Sequence, residues 1–186
     1  THHRSADELS SEFFWQNKIF EEVKESFKDV RFHSCNSAAL FRHNDFSEDM
    51  ARVGIAAYGC MELPCAFKNI DLQPVLSLHA SKISSRRLHK SQAVGYGATY
   101  SANEDCVVSN YDIGYGDGFL RSASNNYTTP DGKKLVGRIS MDNSSFLSED
   151  ENILVFNDAR EMARSAKTIS YEVLTSLKKK LQREIL

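Results

Sequence analysis

Apolar residues recur at near-helical spacing near the start of the chain, with Leu9, Phe13, Phe20 and Phe27 standing among Glu and Lys. That spacing predicts an amphipathic helix over 8–28. Ser5-Ala6-Asp7-Glu8 offers a capping box for its first turn. A short strand around Val30 and Phe32 is expected next, then a turn at Asn36-Ser37-Ala38-Ala39-Leu40 opening a short helix, then a strand-like run over 53–58. Helix, strand, helix, strand is the alternation of an α/β barrel or an open parallel sheet. After about Pro64 the texture changes. Residues 74–83 alternate as a half-buried strand does. Gly95, Gly97, Gly114, Gly116 and Gly118 punctuate the runs that follow, and Pro130-Asp131-Gly132 reads as a turn. Residues 153–156 are uniformly apolar and read as a buried strand, Asp158 is placed to cap a helix over 159–166 with Glu161 completing the box, and 170–180 reads as a last helix. Lys178-Lys179-Lys180 falls where positive charge suits a helix C-terminus, and a run of this kind is usually a solvated helix end. The chain is thus expected to be α/β followed by mostly β, without internal repeats.

Composition narrows the function classes. The 186 residues are 41% hydrophobic and 26% charged, with a formal net charge of −2, so neither nucleic acid nor an anionic membrane is expected as a partner. No apolar run approaches the ~18 residues that span a bilayer. The opening THHRSADE has no apolar segment and does not read as a signal peptide. A chain starting at Thr1, with two histidines too few for a tag, is expected to begin inside a larger protein. Cys35, Cys60, Cys65 and Cys106 form no CxxC pair, so no metal site is expected and free thiols in a reducing cytoplasm are the default.

Six strings carry more than composition does: His33-Ser34-Cys35-Asn36-Ser37-Ala38-Ala39, MARVGIAAYG at 50–59, VGYGATY at 94–100, IGYGDG at 113–118, GRISMD at 137–142 and TISYE at 168–172. In this order and at these gaps they resemble the alanine racemases, and the resemblance covers essentially the whole chain. It implies the last strands and helices of a (β/α)8 barrel over 1–60 and a C-terminal β domain with terminal helices over 61–186. It also implies pyridoxal 5'-phosphate as cofactor, alanine as substrate, a homodimer with shared active sites, a cytoplasmic setting and a role in D-alanine supply for peptidoglycan. Barrel chemistry sits at the C-terminal ends of the strands, and His33, Ser37, Arg52 and Gly54 all follow strand-like runs.

The resemblance assigns roles residue by residue. Ser37 matches a phosphate contact, although on its own it reads as a plain helix cap. Gly54 and Ile55 match positions whose backbone N–H groups bind the same phosphate, and Tyr171 matches a phenol that reaches it. Alone, these are a strand-end glycine with its neighbour and an aromatic anchor of the last helix. Arg52 matches the arginine facing the pyridine nitrogen, and His33 the residue that buttresses it. An arginine there only donates, so it keeps that nitrogen unprotonated and weakens the ring as an electron sink, which favours reprotonation over transamination. Tyr96 matches the base on the L-alanine face. A free phenol has a pKa of about 10, so acting near neutrality requires stabilising the phenolate by roughly 3–4 kcal/mol. Alone, Tyr96 reads as a packing residue. Tyr115 matches the mouth of the partner's pocket, Met141 a backbone N–H that meets the substrate carboxylate, and Asp117 is expected to hold its turn.

The family's cofactor-binding lysine stands in a Lys-Ala-Asn context, and no lysine of this sequence does. The chain is therefore expected to be inactive by itself. Two other readings remain at this point: a fold-related pyridoxal-phosphate decarboxylase of basic amino acids, which lacks the tyrosine loop, and a dimerisation or interaction module.

Overall fold

The computed structural model describes residues 1–42, 46–67 and 70–185. The chain divides into two compact units, Thr1–Pro74 and Val75–Leu186.

The first unit holds α1 (Glu12–Glu25) and α2 (Ser37–Arg42). Helix α1 is shorter than its apolar pattern predicts and is not capped by Ser5. Ser10 Oγ instead accepts from the Glu12 N–H at 3.1 Å, and the Arg4 N–H donates to Gln16 Oε1 at 3.0 Å, so the segment before the helix folds back along it. Of the expected apolar face, Phe13 is buried and Phe20 packs edge-on against Phe32 with ring centroids 5.8 Å apart, while Leu9 and Phe27 are exposed. Phe14, Trp15, Ile19 and Val23 are exposed as well. Among the described residues of this unit no strand ladder forms. Residues 31–36 form neither helix nor strand ladder, with Cys35 O accepting from the Arg52 N–H at 2.8 Å, and 53–58 is a turn rather than a strand, closed by Ala57 N–H to Gly54 O at 3.0 Å and Gly59 N–H to Ala56 O at 3.0 Å. A run such as Val53 to Tyr58 satisfies its backbone locally when no partner strand supplies hydrogen bonds.

The second unit is mostly β. Strands β1 (Leu78–Leu88), β4 (Cys106–Tyr111), β5 (Leu135–Val136), β6 (Ser144–Phe146) and β7 (Asn152–Phe156) form one sheet in the order β5-β6-β4-β1-β7, and β2 (Ala93–Val94) pairs with β3 (Tyr100–Ser101). All pairings are antiparallel. The long β1 is shared, pairing with β7 through its first residues and with β4 through its later ones. The core beneath is aromatic: Phe119 stands 6.2 Å from Tyr127 and 6.4 Å from Phe146, and Tyr111 lies 5.7 Å from Phe146. A second apolar cluster of Leu88, Val94, Ala102, Val108 and Val136 supports the β2–β3 hairpin. Helix α3 (Ala159–Ala166) is capped by Asp158, whose carboxylate accepts from the Arg160 N–H at 2.9 Å. The Pro130–Gly132 turn forms as its residues predict, with the Gly132 N–H donating to Thr129 O.

The last helix, α4 (Ser170–Ser176), stops four residues short of the span its sequence predicts. Leu177 is extended, and the Lys178 N–H donates to Asp117 O at 2.9 Å instead of continuing the helix. Lys178 and Lys180 therefore lie in an exposed tail drawn onto another loop, beyond the end of the helix.

Tyr127 is fully buried, its hydroxyl donates to Val155 O at 2.6 Å, and burial pushes the phenol far above its ordinary value. Tyr127→Phe leaves that carbonyl without its donor and is expected to lower unfolding free energy by about 1–3 kcal/mol, measured by urea denaturation. At the opposite extreme, Asp105 accepts from the Lys90 N–H at 3.0 Å and lies 2.9 Å from His89 Nδ1, which together hold its carboxyl below the usual carboxylate range. Stability from a depressed carboxyl is present above the unfolded value and lost as pH falls through the folded one. In an NMR titration the Lys90 amide shift is expected to move with a midpoint below about 3.9, and a midpoint at or above that value would contradict the assignment.

Candidate active site

Two groups of side chains carry chemistry, one in each unit.

In the first unit, Ser37 begins α2 and is buried. Its hydroxyl oxygen accepts from the Gly54 N–H at 3.1 Å and from the Ala56 N–H at 3.4 Å. The Gly54 and Ala56 N–H groups, at the start of the 53–58 turn, converge on one oxygen, an arrangement suited to an anion. The space beside Gly54 is open: a Cβ there would meet nothing within 4 Å. Ile55 is buried, and its carbonyl accepts from Tyr58 and Cys60 to close the turn.

Arg52 precedes this turn and is brought against His33. Its guanidinium donates to His33 Nδ1, to Ser34 O at 3.0 Å and to Thr1 O at 2.8 Å. Arginine has no acceptor, so His33 Nδ1 must accept, and in the neutral ring the proton sits on Nε2. Close by, Glu48 accepts from the Ser34 hydroxyl and from the Ser34 N–H at 2.5 Å. Burial, reinforced by the Glu48 charge, pushes the Cys35 thiol up and keeps it protonated, so it is not a nucleophile.

In the second unit, Tyr96, Tyr115, Arg121, Ile139 and Met141 line one cleft of about 470 Å³. Tyr96 heads a tight turn between Gly95 and Gly97, and is 66% exposed. Gly95 has φ +81 and ψ 172, a conformation essentially closed to residues with a Cβ, and a Cβ there would stand 3.0 Å from Arg138 N. The turn is closed by the Ala98 N–H donating to Gly95 O at 3.1 Å. Tyr115 lies in a second turn, Tyr115–Asp117, pressed onto the 140–141 backbone. The Tyr115 N–H donates to Ser140 O at 3.0 Å and the Gly116 N–H to Met141 O at 2.8 Å. At Gly114 a Cβ would lie 2.2 Å from Met141 O, so only glycine permits this approach. Asp117 closes the turn by accepting from the Gly114 N–H at 3.0 Å.

The structure thus brings Ser37, Gly54 and Ile55 together, pairs His33 with Arg52, and gathers Tyr96, Tyr115 and Met141. Tyr171 stands apart from the cleft, partly exposed in the first turn of α4. Arg121 and Ile139 are lining residues that motif reading passed over. Arg121 lies three residues beyond IGYGDG, and no local pattern marks it. Its Nε donates to Ile139 O at 3.3 Å, which fixes it at the cleft wall.

A first unit with helices α1 and α2 and a turn whose N–H groups converge on Ser37 is followed by an antiparallel β domain that presents tyrosine turns. The C-terminal domain model of the alanine racemases matches residues 75–185, and the N-terminal domain model matches 1–62. The chain belongs to the alanine racemase family. It is 45% identical to the alanine racemase of Nitratiruptor sp. over 98% of its length and 56% of that protein, and 41% identical to that of Campylobacter curvus over 99% and 57%. It spans little more than half the length of these relatives. Among solved structures it matches alanine racemase from E. faecalis with a TM-score of 0.86 at 27% identity, covering 99% of this chain and 54% of that one. It also matches the Bartonella henselae enzyme, solved with covalently bound pyridoxal phosphate, with a TM-score of 0.81 at 27% identity, covering 98% and 55%. The fold is therefore a portion of the family's barrel followed by its C-terminal β domain, and the decarboxylase reading gives way to the racemase family.

Gly95→Ala is expected to strain the Tyr96 turn by about 1–3 kcal/mol. Hydrogen exchange should show the Ala98 amide losing protection at least fivefold, while the Tyr111 amide in β4 is unchanged. Equal protection of Ala98 in both proteins would remove the strain argument.

Proposed function

We propose that this chain supplies cofactor-binding turns and the β domain of an alanine racemase, a pyridoxal-phosphate enzyme that interconverts L- and D-alanine. The observation that carries this reading is the convergence of the Gly54 and Ala56 N–H groups on Ser37 Oγ, within a chain that belongs to that family. The residues fit pyridoxal 5'-phosphate. Ser37, Gly54 and Ile55 would hold its phosphate, and the open space beside Gly54 admits an anion to the backbone. Arg52, fixed by His33, would face the ring nitrogen. When bound, the cofactor acidifies the substrate Cα–H by taking up electron density from that carbon.

The residues of this chain supply one half of the proton transfer and orient the substrate. Tyr96 takes and returns the proton at Cα on one face, and the Met141 backbone with Tyr115 orients the substrate at the cleft mouth. The proton donor of the other face is a lysine in a context this sequence does not contain. The working enzyme is a homodimer in the cytoplasm that makes D-alanine for peptidoglycan.

The test joins this chain to the N-terminal part of the Nitratiruptor racemase that it does not cover. The 186-residue chain alone is expected to show no racemisation by circular dichroism of alanine, and the fusion to show it. In the fusion, Tyr96→Phe should lower kcat by 10²–10⁴-fold, the usual contribution of a positioned proton-transfer group. Racemisation by the isolated chain, or a Tyr96→Phe fusion as active as its parent, would overturn the assignment.

A further inference from the structure

Asp117 does more than close its own turn. Its Oδ2 accepts from the Gly114 N–H at 3.0 Å, its Oδ1 lies 2.8 Å from Lys180 Nζ, and its backbone carbonyl accepts from the Lys178 N–H at 2.9 Å. The residue is buried although Lys180 is mostly exposed, so one side of the carboxylate is enclosed by the turn and the other receives the ammonium. These contacts, beside the close approach of Gly118 to the Ser176–Leu177 backbone, join two pieces of chain distant in sequence. One is the turn carrying Tyr115, which rests on Met141. The other is the tail after α4, which leaves helical geometry at Leu177 in order to reach Asp117.

The geometry points to Asp117 as the positioning residue of the cleft, a clamp that locks the Tyr115 turn to the post-α4 tail and so sets the place of Tyr115 and Met141. This deepens the racemase reading and rests on it. A carboxylate is what the position requires. It must accept a buried N–H and an ammonium at once, on two oxygens, and charge-assisted bonds of this kind are the strong ones. Alanine removes both contacts. Asparagine keeps an oxygen for the Gly114 N–H and gives up the ion pair. A capping residue alone would need only the first contact, which separates the clamp from simple turn formation.

The test has two arms. In the 186-residue chain, Asp117→Ala is expected to speed hydrogen exchange of the Gly114 amide at least tenfold, with the Val108 amide in β4 unchanged. Lys180→Ala should speed the Lys178 amide while leaving Gly114 within twofold. In the fusion described above, Asp117→Ala is expected to raise KM for alanine about tenfold with kcat changed less than threefold, and Asp117→Asn, which keeps the Gly114 bond without the ion pair, to restore Gly114 protection but less than half of the KM loss; full recovery of KM by Asp117→Asn overturns the clamp. A Gly114 amide as well protected in Asp117→Ala as in the parent overturns the clamp, whatever the fusion does. Faster Gly114 exchange with KM unchanged, or with kcat falling as far as KM rises, also overturns it, because the turn then folds without placing the cleft. If Asp117→Ala loses β4 protection too, the Asp117→Asn and Lys180→Ala variants decide by the same comparison. A fusion with no racemase activity counts against the racemase reading alone, and the amide results then decide the clamp.

Discussion

One backbone segment, residues 137–141, is the floor on which both tyrosine turns rest. Gly95 lies over Gly137 and Arg138, and Gly114 and Gly116 lie over Met141, at separations that leave no room for side chains. The floor is held from its other side. Asn125 Oδ1 accepts from the Gly137 N–H at 2.6 Å, Ser124 Oγ from the Ile139 N–H at 3.1 Å, and Arg121 donates to Ile139 O. Backbone packed on backbone is a hard contact with few ways to relax. Tyr96 and Tyr115 therefore emerge at a separation fixed by main chain, although both side chains are largely exposed. Precise placement and exposure are compatible here because the rigidity lies underneath the residues rather than around them.

This arrangement explains why three separate strings, VGYGATY, IGYGDG and GRISMD, form one site. Each supplies a piece of main chain that must approach another. The glycines are spaced for those approaches, and the large residues between them are what the approaches present. Arg121 belongs to the same unit of structure, since the bond that places it at the cleft wall also pins the floor.

The sequence made local features legible and left their ends obscure. The Asp158 cap, the Pro130–Gly132 turn and the apolar run of β7 are decided by neighbouring residues, and they appear where the pattern puts them. Features decided by distant residues do not. Residues 170–180 read as one helix, but the backbone carbonyl of Asp117, more than fifty positions earlier, takes the Lys178 N–H, and the helix ends early. Residues 53–58 have the composition of a strand, yet the Ser37 hydroxyl gathers their N–H groups into a turn. For α1 the period announces an apolar stripe without saying which of its members find a partner, and Leu9 and Phe27 find none that covers them. Of the cleft, Tyr96, Tyr115 and Met141 stand in strings the sequence shows and Ile139 lies inside GRISMD without an assigned role, whereas Arg121 lies outside every string and is placed only by topology.

The Ser37 turn raises a question of bookkeeping that hydroxyl chemistry answers. Buried N–H groups left without an acceptor cost about 1–3 kcal/mol each, so a turn built to receive an anion would be poorly stable before the anion arrives. A serine avoids this. Its oxygen accepts from Gly54 and Ala56 when nothing else does. Its own proton is free to donate to an arriving anionic oxygen, since a hydroxyl is donor and acceptor at once. Alanine at 37 would leave the N–H groups bare, and aspartate would satisfy them but repel the anion. Serine is the small residue that would serve the turn in both conditions, which is how, under the proposed function, a position that reads locally as an ordinary helix cap would also be a binding position.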